Sequence, residues 1–440
     1  MARAGAAANT ELMSVPGDRR RSLRDRVFGV AGAVVAAGVL ASCGTVVPGG
    51  ALPATSGTVV PGGAVPAASG ACPQAGGPAP GQQGSLIVSG GLDGVAAASA
   101  GSAWAVGSTI MTDPLTMRWN GGEWAEQVLT LVPGRPGNPP GGFGAVAAVS
   151  AGDVWAVGGT AGRPLAEHWN GNEWTVVPTP SPGPQDSGDS AGLDGVAVMS
   201  ARNIWAVGTT NFDKTWIIHW DGTAWTRVPS PNPPGENMQL NGVAAASATS
   251  AWAVGSYTNP VTDAWLPLIE HWDGHAWTLV PSPAVPDMTT PVLTGVAAVS
   301  PDSAWSVGAG GLIEHWDGKT WTKVHSPDVG TLHAVAALSP DNAWAVGVGS
   351  LCPGAFTKTL IEHWDGRAWT VVPSPADGIL NAVTAVSPDD AWAVGSVSLS
   401  DSSPAVIEHW DGKTWTWPPG FCGSPSGPGC LPTASPTSPQ

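Results

Sequence analysis

Short apolar runs separated by turn residues repeat along residues 85–418. One unit contains the runs His333–Leu338, Ala343–Gly347, Thr359–Trp364 and Ala368–Val372. Short runs bounded by Gly, Pro, Asn and Asp are typical of β-strands. The last two runs of each unit are joined through Asp-Gly or Asn-Gly, the strongest sequence indication of a tight hairpin. The pattern predicts units of four short strands.

Two phrases show that this unit occurs seven times. The phrase [Ala/Val/Ile]-Trp-[Ala/Ser]-Val-Gly has its tryptophan at Trp104, Trp155, Trp205, Trp252, Trp305, Trp344 and Trp392. The phrase Trp-[Asn/Asp]-Gly-x-x-Trp follows it with first members Trp119, Trp169, Trp220, Trp272, Trp316, Trp364 and Trp410. The spacing of 39 to 53 residues is the length of a propeller blade. We therefore predict an all-β, seven-bladed β-propeller with four antiparallel strands per blade.

The sequence allows two ways of closing this ring. Residues 85–90 (SLIVSG) could add a strand to the last blade, or the seventh unit could complete its own blade. The first run of each unit is small and apolar, which suits an innermost strand near the ring axis. The tryptophans at repeated positions are predicted to pack blade against blade.

Composition and charge agree with a turn-rich β protein. The chain of 440 residues has 60 Gly and 43 Pro but also 24 Trp, whose surface must be buried or used. Only 11% of residues are charged, and the net charge of −16 argues against nucleic acid as a partner. The resulting division is a signal peptide at 1–42, a disordered Gly/Pro/Ala-rich tether at 43–84, the propeller at 85–418 and a Pro/Ser-rich tail at 419–440.

The N-terminal segment predicts export. Arginines precede the apolar run Val27–Leu40, which is short for a membrane span and typical of a signal-peptide core. The run ends in Leu40-Ala41-Ser42-Cys43, which resembles a bacterial lipobox and implies a lipid on Cys43; an ordinary secretory signal is the alternative. We expect a monomer on the outer side of the cytoplasmic membrane, held to it through that lipid.

The other cysteines suit an oxidising compartment. Cys422 and Cys430 lie close together in the tail and are predicted to form a disulfide. Cys72 and Cys352 could form a second bridge, although four cysteines allow three pairings and the sequence does not choose among them.

The repeated phrases resemble the tryptophan-rich repeats of exported bacterial β-propeller lipoproteins, related in appearance to kelch and WD40 propellers. The resemblance covers about residues 85–418. The Gly-His dipeptide of WD40 repeats is missing, Trp-Asp precedes a Gly turn instead of closing the unit, and the kelch double glycine is missing from the expected strand. The resemblance therefore implies the fold and leaves the function open.

A Glu-His pair recurs on the predicted third strand of five units, as in Glu362-His363. Such a pair could be a metal ligand set or a general acid and base, but equivalent positions in different blades do not converge. Neighbouring residues of a strand also point to opposite faces of the sheet. We therefore interpret the pair as part of the fold.

The predicted ligand site lies on the face with the variable loops. The turns between first and second strands and between third and fourth strands are uniform, while the other two connections vary in length. Loops on a rigid scaffold commonly carry binding sites. The candidate ligand-binding residues on this face are the aromatics Phe212, Trp216, Tyr257, Trp265 and Phe356. The alternative is that Trp216 and Trp265 only cap the edges of their blades.

These observations favour a non-enzymatic, cell-surface binding module for a glycan or a protein. No catalytic residues, metal site or cofactor are predicted, because the chain has no Gly-x-Ser-x-Gly, His-Glu-x-x-His or phosphate-binding glycine motif. Loop acids such as Asp213, Asp263 and Asp287 leave a propeller-fold polysaccharide hydrolase or lyase as the alternative. A third hypothesis is that the protein is a scaffold of the cell envelope that binds no small ligand.

Overall fold

The structure is a computed structural model that describes residues 88–109, 113–127, 141–160, 162–183, 190–211, 214–349, 357–397, 404–419 and 421. The predictions for the signal peptide, Cys43, the tether, Cys72, Cys352 and the Cys422–Cys430 disulfide lie outside these residues. Among the described residues, no helix combines the length and the apolar character that crossing a membrane requires.

Seven four-stranded antiparallel sheets form the described part of the chain, and each sheet is built from one sequence unit. The first three blades consist of β1 Gly90–Ser99, β2 Ser102–Thr109, β3 Pro114–Trp119 and β4 Trp124–Glu126; β5 Gly141–Ser150, β6 Asp153–Thr160, β7 Arg163–Trp169 and β8 Trp174–Val176; β9 Ala191–Ser200, β10 Asn203–Thr210, β11 Lys214–Trp220 and β12 Trp225–Val228. The fourth and fifth consist of β13 Glu236–Ser247, β14 Ser250–Thr258, β15 Trp265–Trp272 and β16 Trp277–Leu279; β17 Leu293–Ser300, β18 Ser303–Gly308, β19 Leu312–Trp316 and β20 Trp321–Val324. The last two consist of β21 Thr331–Ser339, β22 Asn342–Val348, β23 Thr359–Trp364 and β24 Trp369–Val371; β25 Ile379–Ser387, β26 Asp390–Ser396, β27 Ala405–Trp410 and β28 Trp415–Thr416.

The blades form a closed ring, which confirms the predicted seven-bladed propeller. The first strand of each blade lies against the first strands of both neighbouring blades, and β1 lies against β25. The innermost strands therefore surround a central channel. A single 3₁₀ turn, Ala309–Gly311, joins β18 to β19 in place of a longer loop.

Tryptophan packing between blades holds the ring together, as the sequence predicted. The second-strand Trp252 contacts both tryptophans of the next blade, with ring centroids 4.8 Å from Trp316 and 5.0 Å from Trp321. The same arrangement joins the last blade to the first, where Trp392 lies 4.9 Å from Trp119 and 5.2 Å from Trp124. Tilted and T-shaped pairs at these separations are favourable aromatic geometries.

The seventh unit completes its own blade, and the N-terminal end of the described chain adds a short bridge. Ser89 pairs with Pro404 as an isolated bridge, and the Ala405 amide donates to the Val88 carbonyl at 3.0 Å. Val88 is buried in the cluster between the last and first blades together with Phe421. Within the described residues, ring closure thus depends mainly on side-chain packing, and the N-terminal end contributes a bridge and no further strand to the last blade.

Candidate functional site

The uniform turns of each blade lie together on one face of the ring. A Cβ added to Gly412, in the β27–β28 turn, would contact Asp389 in the β25–β26 turn, and the other blades repeat this proximity. The remaining connections lie at the opposite ends of the strands. We call that opposite side the variable-loop face, since it carries the connections of unequal length.

Each innermost strand has a β-bulge at the same position. In the first blade Leu92 pairs with Gly107 and Gly94 pairs with Val106, so Asp93 has no partner on β2. In the other blades the residue left without a partner on the second strand is, in chain order, Gly144, Asp194, Asn241, Thr294, His333 and Asn381. A bulge redirects the side chain of the extra residue. Here all seven bulge residues line the central channel, and we call them the polar ring.

The glycine of the repeated Trp-x-Val-Gly phrase makes room for this bulge. A Cβ on Gly107 would collide with the carbonyl oxygen of Gly91 across the hairpin. The residue before the bulge, as in Leu92, is fully buried and fixes the strand in the core. The core therefore positions the bulge residue, whose own side chain is half-buried at the channel.

The polar ring lies nearer to the variable-loop face than to the other face. Asp93 is three residues after the start of β1 and six before its end, and Asp194 has the same position in β9. At about 3.3 Å per residue the ring lies roughly 10 Å below the strand ends on the variable-loop side. The channel at this level holds a cavity of about 150 Å³ lined by all seven innermost strands.

Side chains of four consecutive blades are connected around the ring by hydrogen bonds. The Asn241 amide donates to the Leu293 carbonyl at 2.7 Å, and the Thr294 hydroxyl donates to the Leu332 carbonyl at 2.7 Å. His333 Nδ1 donates to the Leu380 carbonyl at 2.9 Å. In each pair the bulge residue bonds to the carbonyl that precedes the bulge of the next blade.

Asn381 closes this series onto the first blade. Its amide donates to the Leu92 carbonyl at 3.0 Å and to Asp93 Oδ1 at 3.2 Å. Within the described residues no hydrogen bond reaches the Asp194 carboxyl. Burial raises the pKa of Asp93 and of Asp194 to about 7, and burial lowers the pKa of His333. The channel therefore contains two carboxyl groups that titrate near neutral pH.

The Glu-His pairs lie away from this site and support the fold, as predicted. The Glu362 carboxyl is fully buried between blades and accepts a hydrogen bond from Ser326 of the preceding linker at 2.8 Å. His363 lies on the other face of the sheet, where it packs 4.2 Å from Trp344 and bonds to Asn342 at 3.2 Å. Burial raises the pKa of Glu362 to about 7.

The aromatic residues predicted to bind ligand do not come together. Trp216 is 1% exposed within the interface between the second and third blades, where Arg227 covers its ring at 4.6 Å. Trp216, given above as a candidate ligand-binding residue, is therefore not available to a ligand at the surface, because the β11 backbone directs its side chain between blades. Tyr257 and Trp265 are half-buried in the fourth blade, and Phe212 and Phe356 lie outside the described residues.

Tyr257 and Trp265 also lie on different sheet faces. Trp265 is paired with Thr258, so the side chain of Trp265 is on the face opposite to that of Tyr257. Tyr257 packs against the cluster between the third and fourth blades. Of the loop acids, Asp263 and Asp287 are exposed, and Asp213 lies outside the described residues. Among the described residues, no group of three or more His, Cys, Asp or Glu could hold a metal ion.

Sequence reasoning missed the polar ring, although its pattern can be read in the sequence. Each unit has a Leu or Phe, then the bulge residue, then Gly or Ala, then Val, as in Leu92-Asp93-Gly94-Val95. Leu92 and Val95 are both buried although they are three positions apart, which breaks the alternation of a regular strand. Such a break at a glycine indicates a bulge.

Comparisons with known proteins show the fold alone. No family model matches the chain, and no curated protein matches it. The chain is similar to the structure of U3-55K, at 10% identity and a TM-score of 0.50, with 73% of this chain and 97% of that chain covered. It is also similar to the GH74 xyloglucanase from Xanthomonas campestris, at 15% identity and a TM-score of 0.50, over 77% of this chain and 56% of that chain. A third similar structure is YCF48 bound to D1 peptide, at 17% identity and a TM-score of 0.47, over 75% of this chain and 93% of that chain.

Proposed function

We propose that this protein is an exported, lipid-anchored binding module that seats its ligand at the variable-loop end of the central channel. The observation that carries the proposal is the polar ring. A bulge repeated in all seven blades places one residue of each blade at the channel, and six of the seven residues, all but Gly144, carry a polar side chain of varying type. The surrounding core positions of the innermost strands are nearly identical between blades, whereas the bulge residue varies.

A ligand that sits on the axis of a ring contacts every blade differently. A purely structural ring position would favour one side chain, whereas this position carries Asp, Gly, Asn, Thr and His. Polar groups that converge in a concave site are the usual features of a binding site. Export and anchoring are supported by the apolar run Val27–Leu40 and the lipobox ending in Cys43.

The test is a binding screen that compares the two faces of the ring. Full-length protein in detergent is applied to a defined array of cell-envelope glycans and synthetic peptides. Trp265→Ala and Val261→Asp alter the variable-loop face, where Val261 is 89% exposed. Lys319→Glu and Lys413→Glu are the matched changes on the opposite face, in exposed turns.

Binding that the variable-loop variants weaken and the opposite-face variants preserve supports the proposal. Binding lost only with Lys319→Glu or Lys413→Glu would place the ligand on the wrong face and overturn it.

A second candidate function is hydrolysis of an extracellular polysaccharide. Asp93 and Asp194 are the two carboxyl residues of the polar ring and have raised pKa values, and glycosidases use paired carboxyls of which one has a raised pKa. Release of reducing ends from polysaccharides such as xyloglucan, lost in Asp93→Asn and Asp194→Asn, would favour this function. Binding without such release favours the module.

A further inference from the structure

One arc of the polar ring differs from the rest. In the fourth to seventh blades, the bulge side chain donates a hydrogen bond to a backbone carbonyl of the next blade. These residues are Asn241, Thr294, His333 and Asn381. In the first to third blades the corresponding residues are Asp93, Gly144 and Asp194, and none of them has a side-chain donor when the carboxyls are ionised. We call these three residues the open arc.

The side chains of the open arc, with both carboxyls ionised, offer hydrogen-bond acceptors and no donor. The carbonyl oxygen of Leu193 lies 3.1 Å from the position that a Cβ of Gly144 would occupy, so Gly144 provides no side chain to cover it. The Asp194 carboxyl has no hydrogen-bond partner among the described residues. No Lys or Arg is among the described residues that line the cavity. No cationic side chain of the described lining therefore faces Asp194, and a cationic ligand would supply that charge.

We propose that the open arc binds the ammonium group of a lysine side chain inserted by a protein partner into the variable-loop end of the channel. The inference deepens the proposed function and rests on it. An ammonium group has three donors and no acceptor, which suits Asp93, Asp194 and the Leu193 carbonyl. Its charge compensates two carboxylates that lie in a protein-enclosed channel, where unpaired charge is costly.

The shape of the site favours lysine over a sugar. Among the described residues that line the cavity there is no Trp, Tyr or Phe on which a sugar ring could stack. The polar ring lies roughly 10 Å inside the channel, so the partner segment that carries the lysine enters the channel mouth, and a four-carbon stem occupies less width there than a pyranose ring does. The arc has two carboxyl groups, and no group of three or more His, Cys, Asp or Glu that could hold a metal ion is found among the described residues.

The raised pKa values of the two carboxyls agree with an uncompensated site. Asp93, Asp194 and His333 are the titratable residues that line the cavity, and the pKa of His333 is lowered by burial. A bound ammonium group favours the ionised carboxylates, so binding is expected to strengthen as pH rises through 7.

The experiment is an NMR titration of the full-length protein in detergent with ¹⁵N-labelled histidine. The His333 imidazole is a local reporter because it lines the same cavity, and its signals are identified with His333→Gln. The probes are Nα-acetyl-lysine methylamide, its Nε-acetylated form and glucosamine. The variants are Asp93→Asn and Asp194→Asn, with the exposed Asp263→Asn and Asp287→Asn as controls for loss of one charge.

We expect a saturable shift of the His333 signals with Nα-acetyl-lysine methylamide and no saturable shift with its Nε-acetylated form. Asp93→Asn and Asp194→Asn should each weaken binding about tenfold or more, the usual effect of losing a charge-assisted hydrogen bond. The two control variants should bind as the parent does.

Three results would overturn the inference: no saturable response to the lysine probe, an equal response to the acetylated probe, or tighter binding of glucosamine. If array ligands still bind through the variable-loop face in those cases, the proposed function stands without the lysine site. If nothing binds through that face, both proposals fail.

Discussion

At the residue scale, the blade interfaces depend on a buried acid that is bonded to the preceding linker. Glu314 is fully buried in β19 and accepts a hydrogen bond from Ser282 at 2.7 Å. Ser230, Ser326 and Ser374 make the same contact to Glu270, Glu362 and Glu408. The third blade has Ile218 at this position, so an aliphatic side chain also fits the site.

The Ser282→Ala variant should therefore lower the free energy of unfolding by about 1–3 kcal/mol, because it leaves a buried carboxyl without its donor. Chemical denaturation measures the change. The matched background is Glu314→Ile, in which Ser282→Ala should cost less than half as much. An equal cost in both backgrounds would show that the serine acts independently of Glu314.

At the element scale, the bulge assigns stability and function to different residues of the innermost strand. The neighbours of the bulge are core residues, whereas the bulge residue faces the channel. Asn occupies the bulge in the fourth and seventh blades and bonds to the next blade in both. Asp194 occupies the same position without that bond. Stability alone favours Asn there.

The Asp194→Asn variant should accordingly be more stable than the parent near pH 8, while it loses the lysine probe. It removes a carboxylate disfavoured by burial and adds an amide donor at the position from which Asn241 and Asn381 bond to the next blade. Thermal melting and the NMR titration measure the two effects on one sample. A variant that is less stable and also fails to bind would indicate structural damage. Opposite changes in stability and binding are the mark of a functional residue.

The tryptophan contacts between blades give a second prediction at the element scale. Trp252 is 1% exposed and packs against two tryptophans of the next blade. Trp252→Ala should cost about 3–5 kcal/mol, the usual effect of emptying such a site. Trp265→Ala, at a half-buried position, is the control and should cost clearly less. Denaturant midpoints compare the two, and similar losses would contradict the assigned packing.

The sequence was sufficient for the elements because they repeat. The strands, the Asp-Gly hairpins and the packing of tryptophans such as Trp252 follow from positions shared by all units. The site was harder to predict, since it combines a repeated backbone feature with unrepeated side chains. Asp93 and His333 occupy equivalent bulges, yet nothing in their residue types relates them. Trp216 misled the prediction because burial between blades depends on contacts distant in sequence.

At the scale of the whole molecule, the buried acids make stability depend on pH. Burial raises to about 7 the pKa values of Glu167, Glu270, Glu314, Glu362, Glu408, Asp93 and Asp194. These groups bind protons more tightly in the folded state, so their contribution to stability is present at low pH and is lost as pH rises through 7. The buried histidines act oppositely, because burial lowers the pKa of His219, His271, His315, His333 and His363 below 6.5.

The melting temperature should therefore rise as pH falls from about 8 to 6.5, before the histidines begin to oppose the trend. Differential scanning calorimetry across this range is the measurement. Glu408→Gln, which keeps the shape without the charge, should melt higher than the parent at about pH 8 and rise less on acidification. A melting temperature that falls on acidification in the parent would contradict the assigned acids.

The way the ring closes has a consequence for how the chain can be rearranged. Every blade is made from one continuous unit, and among the described residues the last blade is joined to the N-terminal end by side-chain packing and by the backbone bridge of Val88 and Ser89. The fold therefore does not require the chain to begin at one particular blade. A circular permutant that opens in the exposed linker before β17 and joins the original ends should keep the same set of blade interfaces. Its new ends would emerge on the variable-loop face, so permutation offers a way to display a fused partner directly beside the channel mouth.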